Sequence, residues 1–329
     1  MVRLIFVLLL SCFFSVAYAG GGITHMFIAQ QVIAALPDAQ LRDLLQNNLD
    51  AYLVGAYYPD SGYVKGTGYG EDSHWDPFIY TFADYIKEKY TQPALQNPKL
   101  VAFLFGCAAH RVSDEIMHWT FYHEMAREDF HDNRSEAHQY GDMGIDLLLN
   151  IDKNQWLTHP LVWWVPVNDL LQVYHRMGKD QYTAKEIEWG NAVIYLVGYG
   201  ERLISPPAYP YLEWKMPWTA KHYYDWPVGG ILMDEEKIVA YQMDLWQRLK
   251  SQSSLPHFKL NKTHKTASMD SENTNFIIDF ANEALESSVV TISTVSQEDG
   301  SIVLQPPIVQ EEEKYKNLIA KLLSKFTGI

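Results

Sequence analysis

The sequence predicts a predominantly helical fold with a small α+β extension towards its C-terminal end, on three observations. Apolar residues recur at helical spacing in several stretches before position 250. From His110 to Asp142 the residues able to do chemistry recur at steps of four, a spacing that only a helix gathers onto one face. Alternation at period two is confined to SVVTISTV and SIVLQPPIV, late in the chain.

Residues 1–19 read as a signal peptide. Arg3 supplies the positive start, Leu4 to Val16 the apolar run, and Ala17-Tyr18-Ala19 the small-x-small cleavage site. Cleavage there would leave Gly20 as the first residue of an exported chain, secreted or periplasmic, with no other run long enough to span a bilayer. The 329 residues suffice for one large domain or two small ones, and 47% hydrophobic and 14% aromatic residues point to a packed core rather than to disorder. Removing the leader takes Arg3 and no acid, so 25 Lys plus Arg face 40 Asp plus Glu, a formal charge of −15. Such acidity disfavours general nucleic-acid binding. Cys12 leaves with the leader, so Cys107 stands alone and reads as a small buried side chain; no intramolecular disulfide is available.

The main body is expected over residues 20–250. After a glycine arm and His25, a helical pattern runs through Met26, Ala29, Ile33 and Leu36, and a second from Ala39 to about Leu53. GAYYPDSGYVKGTGYGEDSHWDPF then reads as a long functional loop delivering Asp60 and His74, with Asp72 and Asp76 as alternatives. Beyond Asn150 come Trp156, Trp163 and Trp164, read as core, and an amphipathic helix. Another helix is predicted over 183–204, broken by Pro206 and Pro207, and a last one over 233–249. Residues 251–275 turn to Ser, Thr, Asn and Lys and read as a linker or long surface loop. The extension over 276–329 is expected to hold a short helix, a hairpin and an amphipathic helix. In that last helix Tyr315, Leu318, Ile319, Leu322, Leu323 and Phe326 share a face suited to docking on the domain or to a membrane surface.

The stretch that organises the chain places His110, Asp114 and His118 on one helical face and repeats the device with His138 and Asp142, Asp146 following one turn on. One such pair is an ordinary surface feature. Two within 33 residues, the first behind the apolar flank VAFLFGCAAH, need a partner other than bulk water, and mixed imidazole and carboxylate donors suit zinc better than calcium or magnesium. His25 is a further donor near the mature start. His123 and His131, between the two pairs, read as loop residues or as supports, and Asp146 as a support for a ligand or a plain surface acid.

DAYLVGAYYPD, SHWDPF, LVAFLFG, HRVSDEIMHW, DFH, SEAHQYGDMGID and WWVPVNDLL, in this order, resemble the N-terminal catalytic domain of the glycosylphosphatidylinositol-specific phospholipase D family. More distantly, the ligand order is similar to that of zinc-dependent phospholipase C and the single-strand-specific zinc nucleases. The resemblance covers about residues 20–249. It implies an all-α multi-helix bundle around three zinc ions, acting on phosphodiesters of phospholipids or inositol glycolipids at a membrane surface. It assigns one zinc to Asp60, His74, His110 and Asp114, and a second to His118, His138 and Asp142. A third would take the Gly20 amine and carbonyl with His25, Asp114 bridging. In the phospholipase C pattern the terminal residue is Trp and the last ligand Glu, where this chain has Gly20 and Asp142; His123 is the alternative to His118. A cluster of this kind acidifies a shared water, neutralises phosphoryl oxygens and stabilises a departing alkoxide, with Asp60 as ligand, general base or both. The reading is thus a secreted zinc phospholipase of C or D type. A single-strand nuclease and a zinc-stabilised binding protein without activity are the alternatives.

Overall fold

The computed structural model describes residues 21–64, 66–155, 163–251, 294–296 and 302–304. The expected leader, the Gly20 ligand, the linker, the helix near 276–285 and the amphipathic helix over 311–326 lie outside the described residues. Within them the fold is all-α, with short strands as the exception.

Helix α1 (Gly22–Ala35) is apolar nearly all round and sits inside the body. Helix α2 (Ala39–Asn47) starts where the Asp38 side chain accepts from the Leu41 amide, a regular N-cap. One helix was expected from Ala39 to Leu53. The structure divides it at Asn48, whose side-chain amide donates to the Leu44 carbonyl at 2.8 Å, and α3 (Leu49–Tyr57) then runs beyond the expected end. Asn competes locally with the helical backbone, a signal that periodicity misses.

The presumed long loop is largely built. It holds a 3₁₀ turn (Pro59–Tyr63), a one-turn helix α4 (Gly70–Ser73) and α5 (Asp76–Lys89), followed by a second one-turn helix α6 (Pro93–Gln96). Helix α7 (Pro98–Ile116), capped by Asn97 with Pro98 at its first position, is the buried axis of the molecule. It continues as a π-helical turn (Met117–Phe121) into α8 (Tyr122–Asp129). Helix α9 (Arg134–Asp152) starts on the Asn133 cap. After strand β1 (Trp163–Val165) come α10 (Val167–Arg176), α11 (Ala184–Lys215), α12 (Pro217–His222) and α13 (Glu235–Lys250).

The axis α7 packs against α3 at glycine-on-backbone distance. A Cβ on Gly106 would stand 2.0 Å from the Tyr52 carbonyl oxygen, and one on Gly55 would stand 2.1 Å from that of Phe103. Only hydrogen at these positions lets the backbones come so close. Helices α1, α5 and α13 also pack on α7, and α9 is sandwiched between α1 and α11.

Two expectations need correction. The break at Pro206 and Pro207 does not occur: α11 starts on a Thr183–Glu186 capping box and runs 32 residues through Pro206, Pro207 and Pro210. All three prolines lie on its exposed side, while Ser205, Ala208 and Leu212 are buried and Asn150 donates to the Ser205 hydroxyl at 3.0 Å. Packing of the inner face outweighs backbone bonds lost on the outer one. Second, the late alternating segments do pair as antiparallel strands β2 (Thr294–Ser296) and β3 (Ile302–Leu304), but β3 also pairs with β1, Trp163 opposite Leu304. The result is a three-stranded sheet in the order β1-β3-β2. Trp164 within β1 is buried, as its reading as core requires.

Candidate metal centre

Six separate segments deliver their polar side chains to one place. His25 comes from α1, Asp60 from the 3₁₀ turn, and His74 from the step between α4 and α5. His110 and Asp114 come from α7, His118 from the π-helical turn, and His138 and Asp142 from α9. The 3₁₀ turn and α4 touch through glycine, a Cβ on Gly62 falling 2.2 Å from the Gly70 amide nitrogen, and this contact sets Asp60 beside His74.

Asp60 is the hub. Its Oδ1 lies 3.3 Å from His74 Nε2 and 3.7 Å from His110 Nε2, and its Oδ2 lies 3.9 Å from His25 Nε2. Asp114 Oδ1 stands 3.8 Å from His25 Nε2 and 3.0 Å from His118 Nε2. Asp142 faces His118 Nε2 at 3.9 Å and His138 Nδ1 at 3.4 Å. Three groups of donor atoms result, each within 4.8 Å: His25–His110–Asp114, Asp60–His74–His110 and His118–His138–Asp142. The first four residues of the cluster are buried, whereas the side chains of Asp114, His118 and His138 are 17%, 23% and 36% exposed. The cluster therefore has a closed floor and an open mouth.

Several features fit a divalent cation of the zinc type. Asp60 Oδ2 and His110 Nε2 are buried and have no hydrogen-bond partner, an arrangement that is costly unless something else occupies the space between them. The imidazoles are pre-oriented from behind. His110 Nδ1 donates to the Ala56 carbonyl at 2.8 Å and His74 Nδ1 to that of Gly70 at 2.7 Å, which turns both Nε2 lone pairs inward. Ser113 donates to the His110 carbonyl and so accepts from His25 Nδ1 at 2.9 Å, leaving His25 Nε2 free as a donor to metal. Tyr122 donates to Asp142 Oδ1 at 2.6 Å.

Protonation follows the same plan. Burial lowers the pKa of His25, of His138 and, most of all, of His110, so these rings stay neutral as metal ligands must. Burial pushes Asp60 up. Asp114 is held well below the carboxylate range: burial opposes this, but the charge and hydrogen bond of His118, with His74 beside it, outweigh it. Against the same burial, Asp114 and Asp142 raise His118 to about 9, so in the metal-free protein His118 and Asp114 form an ion pair.

The other candidates are engaged elsewhere. Asp72 accepts from Tyr182 and pairs with Lys179, and Asp76 accepts from Arg111 and Tyr241. His123 packs edge-on against Trp119, and His131 adopts a left-handed conformation, φ 51°, in the turn after α8. Asp146 supports the centre indirectly. Its carboxylate accepts from the Ile23 and Thr24 amides and from the Thr24 hydroxyl, at 3.0, 2.7 and 2.5 Å, so it anchors the start of the helix that carries His25. Burial raises the Asp146 carboxyl to about 7 and pushes its neighbour Glu201 up as well, so the two hold a proton between them. Tyr122 and Ser113 were not anticipated. Tyr122 is four residues after His118, a spacing that could have singled it out, whereas nothing in the local sequence marks Ser113.

A family profile described as "Zinc dependent phospholipase C" matches residues 24–188, half of the chain and all of the described donors. The chain belongs to that family. The phosphatidylinositol-glycan-specific phospholipase D of Homo sapiens is 35% identical over 226 residues, which is 63% of this chain and 27% of the relative. That of Rattus norvegicus is 33% identical over 242 residues, 68% and 28% of the two chains, and that of Dictyostelium discoideum 30% over 203 residues, 58% and 21%. The chain thus spans about a quarter of the length of the curated relatives it matches. No solved structure gives a significant match. Among the described residues, no helix is long and apolar enough to cross a membrane.

Proposed function

We propose that this family member is an exported zinc-dependent phospholipase that hydrolyses the head-group phosphodiester of phospholipids or inositol glycolipids. The observation that carries the reading is the convergence of three adjoining donor groups, with Asp60 Oδ2 and His110 Nε2 buried and unpartnered. Zinc would be held by Asp60, His74, His110 and Asp114, by His118, His138 and Asp142, and by His25 with the Gly20 amine and carbonyl, Asp114 being shared. Bound zinc supplies an acidified water and neutralises the charge that shields a phosphodiester from nucleophiles.

The chain's own groups do the rest. The open side at His118 and His138 admits the phosphate, and the closed floor excludes bulk water. Asp60, ligand first, has an oxygen free to take a proton from an attacking water. Tyr122 holds Asp142 in place from behind.

The test is to incubate the purified mature protein with labelled phosphatidylcholine, phosphatidylinositol, a glycosylphosphatidylinositol anchor and single-stranded DNA, with and without a chelator. Chelator-sensitive release from a lipid is expected, diacylglycerol indicating C-type and phosphatidic acid D-type cleavage. Chelator-insensitive turnover, or cleavage of the DNA alone, would overturn the reading.

A further inference from the structure

Asp60 sits among the imidazoles of His25, His74 and His110, yet its own side chain does little to stay there. Among the described residues its Oδ1 makes one hydrogen bond, with His74 Nε2 at 3.3 Å, and its Oδ2 makes none. The carboxylate is therefore placed by the backbone of the turn that carries it. That turn is a 3₁₀ segment of five residues, whose internal bonds are poorer than those of an α-helix.

The turn is held from α11, a helix that gives no donor to the three groups. The α11 backbone abuts it at Gly190, where a Cβ would stand 2.3 Å from the Ser61 carbonyl oxygen and 2.6 Å from the Tyr69 hydroxyl. One residue on, Asn191 Nδ2 donates to that hydroxyl at 3.3 Å and to the Ile187 carbonyl, one turn back in its own helix, at 2.7 Å. The bond to Ile187 fixes which end of the amide faces Tyr69. The Ser61 hydroxyl donates to the Tyr58 carbonyl at 2.5 Å, so it accepts from Tyr69, 2.7 Å away. Tyr69 thus receives from Asn191 and gives to Ser61. Burial pushes its phenol up, which keeps the donated proton in place. Its ring is fully buried, stacked on Tyr58 at 5.4 Å and packed against Tyr174 and Tyr182, so the hydroxyl cannot swing away.

We propose that Tyr69 is a positioning residue for the metal centre: backed by Gly190 and Asn191 of α11, its hydroxyl clamps Ser61 and so fixes the neighbouring Asp60 carboxylate among the imidazoles. The proposal rests on the zinc reading above. A buried chain of hydrogen bonds stiffens what it joins. Metal–ligand distances tolerate about 0.2 Å, so a turn left free to shift would lose affinity before it lost its fold.

The experiment compares the purified mature protein with Tyr69→Phe, which keeps the packed ring and removes the hydroxyl. Ser61 keeps its bond to Tyr58 and Asn191 its bond to Ile187, so neither side chain is stranded. Tyr52→Phe is the matched control: Tyr52 is as deeply buried, and its hydroxyl accepts from Gln242 Nε2, which keeps the Phe105 carbonyl. Zinc affinity is read by competitive chelator titration and stability by calorimetry. Tyr69→Phe is expected to weaken zinc binding on the order of tenfold, while Tyr52→Phe binds as the parent does and the two variants melt close together. Ser61→Ala should weaken zinc binding too, and adding Tyr69→Phe to it should cost nothing more, because the hydroxyl's contact is already gone. Unchanged affinity in Tyr69→Phe, an equal loss in Tyr52→Phe, or losses that add in the double variant would each overturn the proposal. A parent that binds no zinc would refute the metal reading and the clamp together, whereas a parent that binds zinc and is unaffected by Tyr69→Phe refutes the clamp alone.

Discussion

Replacing Gly106 by alanine tests whether the α3–α7 crossing sets both stability and the metal centre. The added Cβ would lie 2.0 Å from the Tyr52 carbonyl oxygen, and ordinary contact starts at 3.4 Å, so the helices must part by about 1.4 Å along that line. The obstacle is backbone on both sides and cannot rotate away. Four residues on, His110 Nδ1 donates to the Ala56 carbonyl across the same crossing at 2.8 Å, and a displacement of that size breaks the bond and releases the ring. Overpacking of this kind costs about 1–3 kcal/mol, occasionally more. The helix propensity of alanine returns about 1 kcal/mol. At the upper end of that cost the net loss is about 2 kcal/mol, which lowers Tm by roughly 4–8 °C in a domain of this size. Gly198→Ala is the control, because a Cβ there meets nothing within 4 Å, and it should stabilise through propensity alone. Calorimetry and elemental analysis read the two effects. If Gly106→Ala melts with Gly198→Ala and keeps its full metal content, the crossing does not act as argued.

Three further outcomes are expected. Asp60→Asn should lower zinc content together with turnover, whereas a fully metallated but inactive variant would make Asp60 a base and not a ligand. Tyr122→Phe removes the bond to Asp142 Oδ1 and should weaken metal retention by about 10–100-fold in a competitive chelator titration while the melting profile changes little. Asp146 sets a pH dependence in the metal-free protein. Its folded pKa, about 7, lies above the ordinary carboxyl value of 3.8, so between these values the folded state holds the extra proton and stability falls as pH rises through the window. Urea titrations across that range should show the fall, and Asp146→Asn should reduce it, leaving the part that Asp60 and Glu201 contribute.

Much of the centre could be read from residue spacing. His110, Asp114 and His118 declare a common face because four-residue steps need only a helix, and the same holds for His138 and Asp142. His25, Asp60 and His74 were beyond such reasoning. Asp60 and His74 meet through a glycine contact that no spacing rule announces, and the ordered resemblance selected them, whereas His25 was marked by its nearness to the expected mature start. Periodicity also misjudged where rules about single residues met tertiary packing. Asn48 ended a helix that the apolar pattern continued, and α11 ran on through prolines because its buried face outweighed them. Strand β1 escaped notice because three residues carry too short a pattern to recognise, and its partner lies about 140 positions away.

The one-sided exposure of the cluster bears on how it would be stripped. Among the described residues, a chelator meets the partly exposed Asp114, His118 and His138 first, while His25, Asp60, His74 and His110 are buried. Demetallation should then be a staged process, a rapid release near the surface followed by a lag governed by breathing of the protein. A brief soak and a long one would leave chemically different preparations, a distinction that matters to anyone comparing activities between purifications.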